Sequence, residues 1–432
     1  MPSERLAHPI DLLALHQSDS RRFPFLLMSS GDSGWDILFA LPQSLSLYGS
    51  GEADAFLAAL AALPQDVGAC GARELPFDGG WFVYLGYEML HAFEPVVPAA
   101  ADDDFPLAAL ARVPAAVLYD RATRQGWLVA EEAEQLDALR RAIESVPAWT
   151  PRPVELCALD EDAPERYVAA VERIKRYIAA GDVFQVNISR GWRARLGRDT
   201  GAADLFAALR RANPAPFSAL ADLGGAQIVS SSPERLVRVR AGVADTRPIA
   251  GTHPRSTDPA EDAALRQRLL ASVKERAEHV MLIDLERNDL GRLCRPGSVE
   301  VDELMALASY AYVHHIESNV RGRLRPGLGV GDVLRAMFPG GTITGCPKVR
   351  TMQIIRELED TPRRAYTGSL GYLNRDGSMD FNILIRTFMR QGERLRFRAG
   401  GGIVADSDPA RELQETRHKA RGLLRSLGVE EA

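Results

Sequence analysis

The stretch Pro339-Gly-Gly-Thr-Ile-Thr-Gly-Cys-Pro-Lys348 decides how this chain is read, because two other glycine-rich segments accompany it. Pro248-Ile-Ala-Gly-Thr252 lies upstream, and Ala399-Gly-Gly-Gly-Ile-Val-Ala-Asp-Ser407 lies downstream. Glycine lets the backbone come close to a small ligand and turn its N–H groups toward an anion. The sequence therefore predicts three glycine-rich turns gathered around a small, multiply charged anionic substrate. A tight connection explains any one of them equally well. It does not explain all three together with the acids described below.

Outward from these segments, the chain divides. Val146-Pro-Ala-Trp-Thr-Pro-Arg-Pro153 breaks all periodicity and separates a β-rich region, 1–153, from a second region, 154–432. In the first region, residues 23–29, 35–40 and 81–87 read as strands and 117–129 as a hairpin, with Trp35 and Trp81 as core aromatics. A helix follows at 131–143. The second region opens on a helix with Asp162 as its cap and Pro164 in its first turn. Tyr167, Val171, Ile174 and Ile178 form its apolar face, and Gly181 ends it. A strand at 183–189 follows. Further helices are expected at 259–270, 274–283, 348–358 and 409–427. Strands are expected at 227–230, 236–240, 368–373, 381–389 and 395–399. These blocks are uneven, which favours an α+β fold over a doubly wound parallel sheet.

With 432 residues, the chain suffices for two domains or one large two-lobed body. A net charge of −6 gives nucleic-acid binding no electrostatic support. No run approaches the roughly 18 apolar residues that cross a bilayer, so no membrane association is expected. Met1-Pro-Ser-Glu-Arg5 lacks the layout of a secretory signal. Cys70, Cys157, Cys294 and Cys346 are scattered without a CxxC, so neither a zinc site nor a disulfide framework is expected, and the chain reads as cytoplasmic. Cys346 reads as a small residue in a tight turn rather than a nucleophile.

Several side chains suit chemistry. Glu412, Glu415 and Lys419 share one helical face; they form either a solvated surface or a cation site beside a carboxylate-binding lysine. Glu278 follows Lys274 by one helical turn, so it is either an ion-pair partner or a metal ligand. The pair His314-His315 fits either packing or function. Glu234 precedes a strand, where burial would let it keep its proton and act as a general acid. Arg386 has the planar fork that matches a carboxylate, and Tyr366 adds a hydroxyl.

Taken together, these motifs resemble the chorismate-utilising enzymes, the family of anthranilate, aminodeoxychorismate, isochorismate and salicylate synthases. The resemblance rests on an ordered series: PIAGT at 248–252, KERAEH at 274–279, DLERND at 284–289, VHHIES at 313–318, PGGTITGCPK at 339–348, GSLGY at 368–372, AGGGIVADS at 399–407 and ELQET at 412–416. It runs from about Asp162 to Leu427, and more weakly through the N-terminal third. It implies large, mostly antiparallel sheets packed as a sandwich with helices outside. It also implies Glu278 and Glu415 as ligands of Mg²⁺, which holds the ring carboxylate of chorismate. Glu234 would be the acid that protonates the departing hydroxyl, with Thr252 near that hydroxyl and His315 near the ring. Tyr366, Arg386 and Lys419 would bind carboxylates together with the backbone at Gly251, Gly400 and Gly402.

The resemblance also indicates a branch. Gln185 stands where the water-activating branch carries a lysine, which implies use of ammonia from a separate glutamine amidotransferase subunit. Ala250 stands where many aminodeoxychorismate synthases carry a nucleophilic lysine and is the residue typical of anthranilate synthases. Thr344, in Ile343-Thr344-Gly345, and the chain length resemble aminodeoxychorismate synthases instead. The expectation is aminodeoxychorismate as product, with an aminodeoxychorismate lyase acting downstream. Anthranilate synthesis is the alternative, and a non-catalytic chorismate-binding relative a more distant one.

Overall fold

The computed structural model describes residues 2–64, 75–99, 103–309 and 313–429; Cys70 and Tyr312 lie outside them. Strands assemble into one 12-stranded and one 10-stranded sheet, and every named pairing is antiparallel. Side chains alternate across each strand, and the alternation sorts the apolar residues into layers. Phe25, Ile37, Phe39, Ala116 and Leu118 of the larger sheet meet Phe82, Tyr84 and Tyr372 of the smaller one. Phe25 stacks on Phe82 with centroids 3.9 Å apart. On the opposite face Leu26, Leu38, Val117 and Leu128 pack under helices Leu12–Ser18, Ala133–Glu144, Ala202–Ala212 and Pro409–Ser426. The fold is the expected α+β sandwich of antiparallel sheets with helices packed outside.

Both sheets draw strands from both sides of the 146–153 break. Phe25–Met28 pairs with Phe217–Asp222 in one sheet, and Gly80–Leu85 pairs with Ser369–Asn374 in the other.

Local structure departs from the sequence reading in instructive ways. Asp162 does not cap its helix. Ala163 holds that position, and the Asp162 carboxylate accepts from the Gly191 N–H at 2.7 Å and pairs with Arg193 at 3.0 Å. The helix expected at 274–283 runs from Val273 to Gly291, because Glu286 and Asp289 occupy buried positions that an apolar pattern cannot reveal. The single strand expected at 381–389 is two strands in different sheets, Met379–Asn382 and Thr387–Gln391. Burial on both sides of the crossing had disguised the break.

Two of the three glycine segments are strands, Ile249–Pro254 and Arg394–Ile403, and only the 339–348 segment turns. Their glycines serve close approach. A Cβ on Gly400 would lie 2.3 Å from the Ile188 carbonyl of the neighbouring strand.

A cavity of about 410 Å³ lies between the sheets, lined by Met28, Trp35, Phe217, Arg238 and Tyr372 among others. Trp35 therefore faces this cavity instead of a closed core, whereas Trp81 is buried. None of the candidate chemical residues lines it, so its size does not mark the reacting centre.

Candidate active site

The site forms where the chain passes between sheets. Glu234 sits at the crossing from Gln227–Ser232, in the larger sheet, to Arg235–Arg240, in the smaller. Arg386 sits at the return crossing between Met379–Asn382 and Thr387–Gln391, with its backbone in the left-handed region at φ 52°. The two crossings are zipped side by side. The Ile383 N–H donates to the Glu234 carbonyl at 3.0 Å, and the Ser231 N–H donates to the Arg386 carbonyl at 3.1 Å. Two opposite charges are thus carried into the sandwich by adjacent, irregular segments.

Burial dominates the Glu234 carboxyl and pushes its pKa up to about 7; Thr342 and Arg386 act against burial, and Glu317 acts with it. About half of it is therefore protonated at pH 7, the state a general acid needs. Burial also lowers the Arg386 pKa, and Glu234 partly restores it. Among the described residues the Arg386 guanidinium makes no hydrogen bond or ion pair within the distances such contacts require. A half-buried cation left in this way is poised for an anionic ligand.

His315 projects from strand Val313–Arg323, opposite Thr252 of Ile249–Pro254. Its Nδ1 lies 3.1 Å from the Gly251 carbonyl. A carbonyl only accepts, so Nδ1 carries the proton and Nε2 presents a lone pair. Burial lowers the ring's pKa to about 4, which keeps it neutral. His314 points to the other face, where its Nε2 meets Asp262 at 2.9 Å and its Nδ1 meets Ser309 at 2.8 Å. The histidine pair thus resolves by strand alternation into one packed residue and one facing the site. Gly251 makes a bulge at φ 62°, and a Cβ there would lie 2.7 Å from Leu269. Ala250 is buried and contributes no reactive group.

The 339–348 turn brings two threonines close to the site, with different roles. Thr344, the candidate from the sequence, donates its hydroxyl to the Gly340 carbonyl at 2.9 Å and is consumed in holding the turn. Thr342 is the one beside the Glu234 carboxyl; its hydroxyl lowers that pKa yet stands outside hydrogen-bond geometry. Sequence reasoning missed Thr342 because only the folded turn at Gly341–Ile343 decides which threonine lies beside Glu234.

Gln185 begins strand Gln185–Leu196 and is buried, its amide lying where a side chain on Gly402 would otherwise be. Gly400 and Gly402 pair with Ser189 and Asn187. Gly401, on the opposite face, looks toward Glu412, Lys419 and the Tyr167 hydroxyl. Tyr366 is buried with its phenol pushed up to about 12, and the Arg363 guanidinium lies over its ring at 5.6 Å.

Acids gather along two helices. Burial raises the Glu278 pKa, and Glu275 raises it further; Lys419 and Lys274 lower it, and Glu412 raises it. Glu415 is half exposed, 3.7 Å from Lys419. Glu275 and Glu412 each precede a candidate ligand by one helical turn, and that spacing was the available signal for Glu275. Among the described residues no group of three or more metal-type ligands stands ready around one point. The repulsion at Glu278 fits a cation held by few carboxylates, with water and substrate oxygens supplying the rest. Cys346 is partly buried, with its thiol pKa raised, which argues against a nucleophilic role.

The chorismate binding enzyme family model matches residues 23–425. The chain is 43% identical over 361 residues to an anthranilate synthase component I-like protein of Synechocystis, covering 82% of this chain and 74% of that protein. It is 40% identical over 377 residues to aminodeoxychorismate synthase component 1 of Bacillus subtilis, covering 83% and 79%. The crystal structure of anthranilate synthase component I from Streptococcus pneumoniae superposes with a TM-score of 0.78 at 31% identity, covering 91% of this chain and 93% of that one. With relatives of two named activities at similar identity, and with the family pattern spanning nearly its whole length, the chain belongs to the chorismate binding enzymes.

Proposed function

We propose that the chain is the synthase component of an aminodeoxychorismate synthase, which converts chorismate and ammonia to 4-amino-4-deoxychorismate and water. The observation that carries the chorismate chemistry is the pairing of Glu234, whose raised pKa leaves about half of it protonated at pH 7, with the uncommitted Arg386 one crossing away. Arg386 would bind a substrate carboxylate, with Lys419, Tyr366 and the strand at Gly400–Gly402 assisting. Glu234 would give its proton to the departing hydroxyl, so that water leaves in place of hydroxide. Ammonia would form the new C–N bond through its lone pair, and the proton it then loses would restore Glu234. His315, neutral, would accept a hydrogen bond through Nε2 or take that proton.

Glu278 and Glu415 would hold Mg²⁺, with Glu275 and Glu412 orienting its water. The ion would supply positive charge for the ring carboxylate of chorismate. Ammonia would come from a separate glutamine amidotransferase subunit. Gln185 supports amination, because an amide cannot serve as the base that activates water.

Ala250 favours a second reading, anthranilate synthesis. With alanine at 250, covalent attack from that position is excluded, so ammonia would have to add directly. The test is product identity. Chorismate, Mg²⁺ and ammonium salt are incubated with the protein, with and without aminodeoxychorismate lyase. p-Aminobenzoate that appears only with lyase supports the proposal. Fluorescent anthranilate without lyase overturns it in favour of the second reading.

A further inference from the structure

A buried hydroxyl without a partner is rare in a native protein and needs an explanation. The Tyr167 hydroxyl is one. Tyr167 stands near the start of helix Pro164–Ala179, and its ring belongs to the core with Val171, Ile174, Ile188 and Ile403. Phenylalanine would fill that core position equally well, so packing does not account for the oxygen. The oxygen faces the space over Gly401, where a Cβ would have three polar atoms around it: Glu412 Oε2 at 3.4 Å, Lys419 Nζ at 3.7 Å and Tyr167 Oη at 3.9 Å. Glu412 and Lys419 come from helix Pro409–Ser426, which packs beside the Tyr167 helix on strand Arg394–Ile403. Ser407 Oγ donates to Glu412 Oε1 at 2.7 Å and fixes that carboxylate, leaving Oε2 toward Gly401. Burial, and next the Glu412 charge, hold the Tyr167 pKa well above its ordinary value, so the phenol keeps its proton. Lys419 acts on the site itself, since its charge lowers the pKa of both Glu234 and Glu278. Yet among the described residues Lys419 Nζ meets only Glu415, at 3.7 Å, beyond hydrogen-bond length. An ammonium on a flexible four-carbon stem takes no fixed direction from so loose a contact.

We infer that Tyr167 is a positioning residue for Lys419: its hydroxyl accepts from the ammonium, donates to Glu412 Oε2, and so aims Lys419 at a substrate carboxylate instead of at Glu415. This rests on the reading above in which Lys419 helps to bind a carboxylate of chorismate. The order of the chain follows from donor and acceptor types. An ammonium only donates, a carboxylate only accepts, and a phenol does both at once. Tyr167 therefore fits between the other two and nowhere else in the series. The lysine stem rotates to close the remaining gap, and the absence of a side chain at Gly401 keeps the meeting point open. Two of the lysine's three N–H donors remain for the ligand.

Equilibrium binding of chorismate, measured with Mg²⁺ and without ammonia, tests this in a double-mutant cycle of Tyr167→Phe and Lys419→Met. Tyr167→Phe removes one oxygen and keeps the ring, so its thermal midpoint is expected to stay in place or rise. It is expected to weaken chorismate binding about tenfold, the equivalent of one lost hydrogen bond. In a chain that already carries Lys419→Met, the same substitution is expected to change binding by less than about twofold, because the group it positions is gone. A loss of equal size in both backgrounds overturns the inference, since Tyr167 would then act directly or through the fold. Unchanged affinity in Tyr167→Phe beside weakened binding in Lys419→Met also overturns it and leaves the reading of Lys419 standing. Unchanged affinity in Lys419→Met overturns both.

Discussion

Two clusters of buried charge sit within this sandwich, and they are built on opposite rules. Around Glu359 every charge is answered. Arg363 pairs with it at 2.6 Å and Arg398 at 3.0 Å, while Ser189 donates both its N–H and its hydroxyl at 2.8 Å. These partners hold the Glu359 pKa below its ordinary value despite burial. Around Glu234 the charges are left incomplete. Its pKa rises, Arg386 has no ion pair among the described residues, and Thr342 waits without a partner. A completed network spends its electrostatics on one fixed geometry. An incomplete one keeps them for a ligand, at some expense in stability.

The contrast breaks most sharply under charge removal. Glu234→Gln is expected to lower kcat by roughly 10²–10⁴-fold, the range for loss of a general acid, and to leave the thermal midpoint unchanged or higher. Glu359→Gln should do the reverse. It strands two buried guanidinium groups and is expected to cost about 3–5 kcal/mol in chemical denaturation. If Glu234→Gln destabilised the fold as severely, the distinction between the clusters would collapse.

Arg386→Leu is expected to raise the KM for chorismate by roughly 10–100-fold, as loss of a charge-assisted hydrogen bond would, without lowering stability. Equilibrium binding of chorismate and urea unfolding of the same variant separate the two effects. Glu278→Gln should weaken Mg²⁺ binding in calorimetry by about tenfold or more; unaltered binding would remove Glu278 from the cation site.

The pH dependence sharpens the comparison further. In the proposed role the Glu234 carboxyl acts in its protonated form, so activity is expected to fall as pH rises through about 7. Its pKa is higher in the folded state than its ordinary value of 4.5. The folded state therefore binds the extra proton, and stability falls as pH rises from about 4.5 through about 7, by up to ~3 kcal/mol. Glu234→Gln should remove that slope. Glu359 has the opposite sign: its pKa is lowered, so its contribution is present above its ordinary value and is lost on acidification. The smallest effect separates the two threonines. Thr344→Val should cost about 1–2 kcal/mol of stability through the turn it holds, whereas Thr342→Val should move the alkaline limb of the pH profile upward, because its hydroxyl lowers the Glu234 pKa.

Much of this was readable from the chain, and what was not readable shares one cause. Lys348–Leu358 appears as expected because its helical period is local. Helix Val273–Gly291 was cut short because Glu286 and Asp289 are buried against other elements. Arg386 falls inside the single strand expected at 381–389, and the structure puts it in a gap between two strands of different sheets. Thr344 was chosen where Thr342 stands beside the acid.

The sequence by itself determined the antiparallel α+β class and the family. Local periodicity and ordered motifs carry that information over short distances along the chain. Only the tertiary structure decided which charges would be completed and which left open. That depends on burial and on partners far apart in sequence, as when Glu234 meets Arg386 across two crossings and Glu359, at the end of helix Lys348–Leu358, meets Arg398 of strand Arg394–Ile403. A carboxylate's proton affinity follows from what surrounds it, and its surroundings exist only once the chain has folded.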